Sequence, residues 1–206
     1  MNPGNPVPYR MFQLVAAHPA LDFVNTLDWR FRPDGSEELL QTYDDLVHFT
    51  EQSNLLSPGQ AQPLLGATAS RRTTKTLASA KELREAIADT LYSSLSGDTV
   101  ATSGLETLEQ HFQTARLRQK LHWNGSHLEW SWAEAQDEPE FPLWVLAQSA
   151  SSLLASEFLS KVRACDVPEC RWLFLDTSKN HTRRWCDMKI CGNRVKARRF
   201  KAQRAS

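Results

Sequence analysis

The sequence predicts a mainly helical protein of the α+β class: a helical body carrying one β-hairpin, followed by a small basic C-terminal module. Three observations lead there. Apolar residues recur at helical spacing through much of residues 42–159. The period changes to two around Asn124-Gly125. All four cysteines fall within the 27 residues from Cys165 to Cys191.

Taken in order, Met1 to Pro8 is rich in Pro, Gly and Asn and reads as a disordered lead-in. Leu21 to Trp29 carries apolar Leu21, Phe23, Val24 and Leu27, which fit a short strand or a helical turn equally. Phe31 to Glu38 holds Pro33-Asp34-Gly35 and is a turn. Thr42 caps a helix whose first turn has Asp44 and Asp45 and whose inner side is Tyr43, Leu46, Val47, Phe49 and Thr50. Ser57-Pro58 opens a second helix, with Leu64, Leu65 and Ala69 as its buried side. The strongest helical pattern runs from about Thr73 to Leu95, where Leu77, Ala80, Leu83, Arg84, Ile87 and Leu91 trace one face, and Gly97-Asp98 closes it. A fourth helix, Gly104 to Arg118, carries Leu105, Leu108, Phe112 and Ala115. Leu121–Trp123 and His127–Trp132 alternate as a hairpin, and Pro139 and Pro142 introduce a largely buried helix, Leu143 to Leu159. The division falls near Lys161, giving a body of residues 1–160 and a module of 161–206.

A chain of 206 residues suits one domain with a small appendage. With 41% hydrophobic and 23% charged residues it has an ordinary globular composition. No apolar run reaches the length of a membrane span, and the N-terminus lacks an apolar signal core, so a cytoplasmic protein without a membrane partner is expected. The net charge of zero conceals a division. Residues 161–206 hold 13 basic and 4 acidic side chains, and residues 1–160 hold 11 and 20. The positive part is the one that would meet a polyanion. A competing reading docks the basic tail on the acidic body.

The cysteines are spaced C-x4-C-x15-C-x4-C. Each short gap suits a pair of zinc ligands and the long gap holds a hairpin, so Cys165, Cys170, Cys186 and Cys191 are expected to bind one Zn²⁺. Four thiolates leave no open coordination position, which makes the zinc structural. Arg171–Asp176 reads as a strand, Thr177–Asn180 as a turn, Arg183–Trp185 as a return strand, and Gly192–Gln203 as a helix with Val195 and Phe200 available for packing. The sum is a treble-clef-like zinc finger. Two disulfides or a redox pair compete, but a cytosolic chain argues against the first and the spacing differs from the thioredoxin type.

The run Arg163, Cys165, Cys170, Trp172, Phe174, Asp176, Ser178, Asn180, Arg184-Trp185-Cys186, Met188 and Cys191-Gly192-Asn193-Arg194 resembles the CGNR zinc finger. Upstream, Leu21-Asp22-Phe23-Val24-Asn25-Thr26 resembles the start of the ABATE domain that usually precedes that finger. The resemblance spans most of the chain and implies a stress-induced bacterial transcription regulator, with DNA rather than RNA as its partner.

The terminal helix places like charges at i,i+3 and i,i+4, a repulsion that bound phosphates would relieve. Candidate nucleic-acid contacts are Arg183, Arg184, Asn193, Arg194, Lys196, Arg198, Arg199 and Lys201, with Asn193 and Arg194 able to reach base edges. The plainer reading is a solvated helix end whose arginines pair with Asp166, Asp176 or Asp187. His18, Asp22 and Asp28 suggest acid–base chemistry, but no motif joins a reactive group to an activator, so the chain is read as no enzyme. Trp29, Trp123, Trp130, Trp132 and Trp144 could line an effector pocket, with Asp22, Asn25, Thr26 and Trp29 as its contacts. The competing reading makes the aromatics core and the polar trio a turn cap. A homodimer would suit two half-sites, although no heptad marks one. A protein-interaction adaptor, or a small-molecule binding protein with a purely structural zinc, remains the alternative to DNA binding.

Overall fold

A computed structural model describes residues 10–66, 70–132 and 135–205, apart from the side chains of Arg199 and Ala205. Met1–Pro8, Ala69 and the side chain of Arg199 therefore lie outside the described residues.

The ambiguous opening segment divides in two. His18 Nδ1 accepts the amide of Ala20, Pro19 supplies a preset first position, and α1 runs over Pro19–Val24 with Leu21, Phe23 and Val24 buried. The chain then extends as β1 (Leu27–Asp28), which pairs antiparallel with β2 (Glu37–Glu38) across the expected turn. Helix α2 (Tyr43–Gln52) begins with a reciprocal cap, Thr42 accepting from Asp45 N while the Asp45 carboxylate accepts from Thr42 N. The helix opened by Pro58 is a single turn, α3 (Pro58–Ala61). Leu64 is buried beyond its end, on a turn rather than on a helix face.

Helix α4 (Arg71–Ser96) has the expected face and ends where Gly97 takes φ +76°, a left-handed cap without a Cβ penalty. Helix α5 (Thr102–Leu117) leads into the hairpin β3 (Lys120–Trp123) and β4 (Leu128–Ser131). Helix α6 (Phe141–Leu154) is the centre of the body, packing against α1, α2, α4 and α5. Its buried Phe141, Leu146 and Leu153 each contribute about 2–3 kcal/mol by leaving water. The helical run stops at Leu154, and a 3-10 segment, Glu157–Lys161, carries the chain into the last third.

One polar group is buried with the apolar ones. Arg84, 3% exposed, donates to both oxygens of Glu38 (2.7 and 2.8 Å), to Thr26 Oγ1 (3.2 Å) and to Glu85 (2.9 Å). These contacts fasten α4 to β2 and to the end of α1. Glu85 is held in turn by Arg30.

The last third contains β5 (Val162–Ala164), β6 (Leu173–Leu175), a π-type turn (Met188–Gly192) and α7 (Asn193–Ala205). β6 pairs with β5, Arg163 opposite Phe174. Arg183–Trp185 was expected as the return strand, but it forms no strand: Arg184 O accepts the Asp166 amide (2.9 Å), and otherwise this stretch follows a loop. The strand lying before the first cysteine takes that place, because the cysteine cluster draws both flanks of Cys165–Cys170 together. The protein is thus mainly α, with three two-stranded sheets among the described residues.

Candidate metal centre and basic helix

The four cysteines are buried, and their Sγ atoms all lie within 4.8 Å of one another. Cys170 and Cys186 are 3.7 Å apart, and Cys186 and Cys191 3.6 Å. A tetrahedron of thiolates about 2.3 Å from a central zinc has edges of about 3.8 Å, so the residues fit the ion. Electrostatics points the same way. With thiols alone, hydrogen bonding first from Cys170 holds Cys165 far below the ordinary thiol range, while the same contact pushes Cys170 up. Buried sulfurs this close cannot all ionise without a cation among them. Zinc supplies that charge and, with its four positions filled by sulfur, acts as a structural cross-link. The protein binds one structural Zn²⁺ through Cys165, Cys170, Cys186 and Cys191.

Two tight turns present the sulfurs. In the first, Val167 O accepts from Cys170 N and Arg171 N, and Arg171 takes φ +52°. In the second, the Asp187 carboxylate accepts from Lys189 N (2.6 Å) and Ile190 N (2.9 Å), and its carbonyl accepts from Cys191 N (3.0 Å) and Gly192 N (3.1 Å). The Met188 thioether lies over Gly192, in the space a Cβ there would take. Helix α7 starts one residue later, so the metal fixes where that helix begins.

The body completes the finger. β6 bonds to β5 on one edge; on the other, Leu175 N donates to Ala16 O (2.8 Å), and Leu173 N and O both bond the Asn25 side chain (2.9 Å each). Asn25 thereby acts as a strand of one residue. Trp172 Nε1 donates to Asp28 Oδ1 (2.8 Å) and Tyr92 Oη to Arg171 O (3.0 Å). Trp29, with its backbone at φ +53°, presents its ring to Arg194 (4.8 Å) and Arg32 (4.6 Å).

These positions correct part of the effector expectation. Asp22 accepts from Ala16 N (2.9 Å), and burial pushes its carboxyl up to about 6. Asn25 is committed to Leu173, and Thr26 donates to Phe23 O and accepts from Arg84. All three are buried and hydrogen-bonded within the chain. Trp29 stands apart from them, at the edge of the metal site: the hollow of about 120 Å³ beside it is bounded by the zinc ligands Cys170, Cys186 and Cys191 together with Gln13, Asp28, Trp172, Ile190 and Arg194. His18 and Asp28 likewise serve as a helix cap and a tryptophan acceptor.

The basic candidates also separate. Arg183 lies across Phe174 (4.3 Å) and donates to the carbonyls of Val15, Trp185 and Cys186. Its guanidinium ties finger to body, which removes it from the phosphate contacts. Arg184 pairs with Asp166 (2.6 Å) and Arg198 with Glu169 (3.3 Å), both pairs at the surface. Asn193, Lys196 and Lys201 are exposed, and so is Phe200, which was expected to pack; Val195 does pack against the core. Asp28, Tyr92 and Trp172 went unrecognised as a joint, because residues so far apart in sequence gave no pairing signal.

A helical body joined to a four-cysteine zinc module defines the class: a two-part protein with a metal-organised basic end. Residues 17–157 match the ABATE family, described as "Putative stress-induced transcription regulator", and residues 161–204 match the CGNR zinc finger. The chain belongs to the ABATE family and ends in a CGNR zinc finger. A search of curated proteins gives no match. No helix among the described residues is long and apolar enough to cross a membrane.

Proposed function

We propose that this protein is a cytoplasmic, dimeric transcription regulator that binds duplex DNA through α7, with a body of residues 1–160 and a finger of 161–206. The observation that carries this is a helix with basic residues around its circumference that starts two residues after the last metal ligand. Arg194, Arg198 and Lys201 share one side by their i, i+4, i+7 spacing, and Lys196 and Arg199 the other. Thirteen residues make a rod of about 20 Å, long enough to lie along a major groove. Asn193 and Arg194 at its start are the base readers; Arg184, Lys196, Arg198, Arg199 and Lys201 contact phosphates. A reducing compartment keeps the thiols available to zinc.

The test is duplex binding by the full-length, zinc-loaded protein, titrated across salt. Log affinity should fall linearly against log salt, and Lys196→Glu with Lys201→Glu should lower the slope by about 2. An unchanged slope and affinity in that variant would defeat the reading. No binding at low salt would move the finger to protein partners, where capture is insensitive to salt.

A further inference from the structure

The β3–β4 hairpin has little of the body beneath it. Its register sets Leu121 opposite Trp130 and Trp123 opposite Leu128. Alternation along each strand puts all four on one face and Lys120, His122, Glu129 and Ser131 on the other. The four apolar side chains are 48–59% exposed, and Leu117 at the hairpin's foot is 83% exposed. Arg116 lies over the Trp130 ring at 3.5 Å. A lone two-stranded hairpin is marginal in water, and a contiguous apolar face of this size marks an interaction surface.

The same chain carries a surface that fits it. A channel of about 420 Å³ runs between α4, α5 and α6, lined by Leu105, Leu108, Phe112, Leu154 and Leu159. A second hollow, of about 570 Å³, shares Phe112 with it and extends past Leu117 to the hairpin's foot. Hairpin and channel thus form one strip, apolar at both ends and crossed by Gln113, Arg116, Gln148 and Ser151 between them.

We propose that a second copy of this chain covers that strip, each hairpin's apolar face seated in its partner's α5–α6 channel about a two-fold axis. Both halves of the fit are present on one chain, and a reciprocal exchange closes at two copies, leaving no hairpin uncovered. Two half-exposed tryptophans and three leucines offer roughly 500 Å² per hairpin. Counting hairpin and channel in both copies, the contact buries about 1,400 Å², within the range of specific interfaces. The inference stands apart from DNA binding, because its test contains no nucleic acid.

Sedimentation of the full-length, zinc-loaded protein across micromolar concentrations should show a dimer. Trp123→Ser with Trp130→Ser should raise its dissociation constant at least about 100-fold, and Leu105→Glu, on the channel side, should do the same. These side chains are exposed, so helicity should stay at the wild-type value, and the melting temperature should equal that of wild type diluted below its dissociation constant. An equimolar mixture of the two variants retains one intact hairpin–channel contact and should regain dimer at intermediate strength. A monomeric wild type overturns the proposal and assigns the strip to a different protein. A dimer indifferent to the hairpin variant overturns it too. So does a Leu105→Glu variant that dimerises as wild type does, which would mean that the hairpins stack on each other, and so does a mixture that stays monomeric.

Discussion

Helix α6 and the turns around Cys165–Cys191 are both deeply buried, but different things surround them. Around α6 lie side chains from four other helices, Phe23, Leu46, Leu83 and Ile87 among the fully buried. Around the cysteines lie two short strands, tight turns and the edge of the body. The body is stable because it removes apolar surface from water. The finger adds Val162, Leu173, Phe174 and Leu175 to the edge of that core, and relies besides on metal–sulfur bonds and on backbone hydrogen bonds completed by Ala16 and Asn25. The difference teaches that the two parts should fail separately, under different stresses, and that their joint should be weaker than either.

The largest expected effect is metal removal. Chelation, or Cys186→Ser, should unfold the finger while leaving the helical signal of α2, α4, α5 and α6 nearly intact. Circular dichroism and amide exchange would show this; concerted loss of the whole fold would break the comparison. Next comes Arg84→Ala, which leaves Glu38 with only the longer Lys81 pair (3.5 Å) and should cost the body about 2–3 kcal/mol. Urea unfolding should register that loss with zinc affinity unchanged.

The joint is tested by Asn25→Ala. Leu173 N and O lose their partner together, at about 2–4 kcal/mol. Hydrogen exchange at Leu173 should accelerate far more than exchange at Leu83 or Leu146.

Asp22 adds a pH dependence. Burial disfavours the charge and pushes its carboxyl up to about 6 when folded, above the ordinary carboxylate range. The folded state therefore holds the proton more tightly than the unfolded one. The resulting stability is present below about pH 4 and is lost as pH rises through 6. Asp22→Asn, which keeps an acceptor for Ala16 N, should remove that dependence and gain up to about 3 kcal/mol above pH 6. Comparing variant and wild type at each pH cancels the separate acid loss of zinc. Smallest is Trp29→Ala, which removes the ring under Arg194 and should cost about 0.5–1 kcal/mol, read as a small fall in the finger's melting temperature.

Much of this was legible along the chain. The caps at Thr42 and Gly97, the hairpin at Asn124-Gly125 and the face of α4 are local, and each depends on neighbours within a few residues. So does the metal site, because a ligand pair five residues apart sits on one turn. The family motif pointed to the right two parts. The leading segment stayed ambiguous because six apolar-rich residues satisfy either period. Arg183 looked like a phosphate contact, since nothing near it in sequence reveals that Val15 O and the Phe174 ring lie beside it.

The sequence by itself determined a helical body, one hairpin, a four-cysteine zinc site and a basic terminal helix, all through short-range spacing and charge. Tertiary structure alone decided which strand pairs with Leu173–Leu175, which arginines are committed within the fold, and that Asn25, Asp28 and Trp29 join the body to the finger. The physical reason is distance along the chain: Asn25 and Leu173 are 148 residues apart, and whether such groups meet depends on how every helix between them packs.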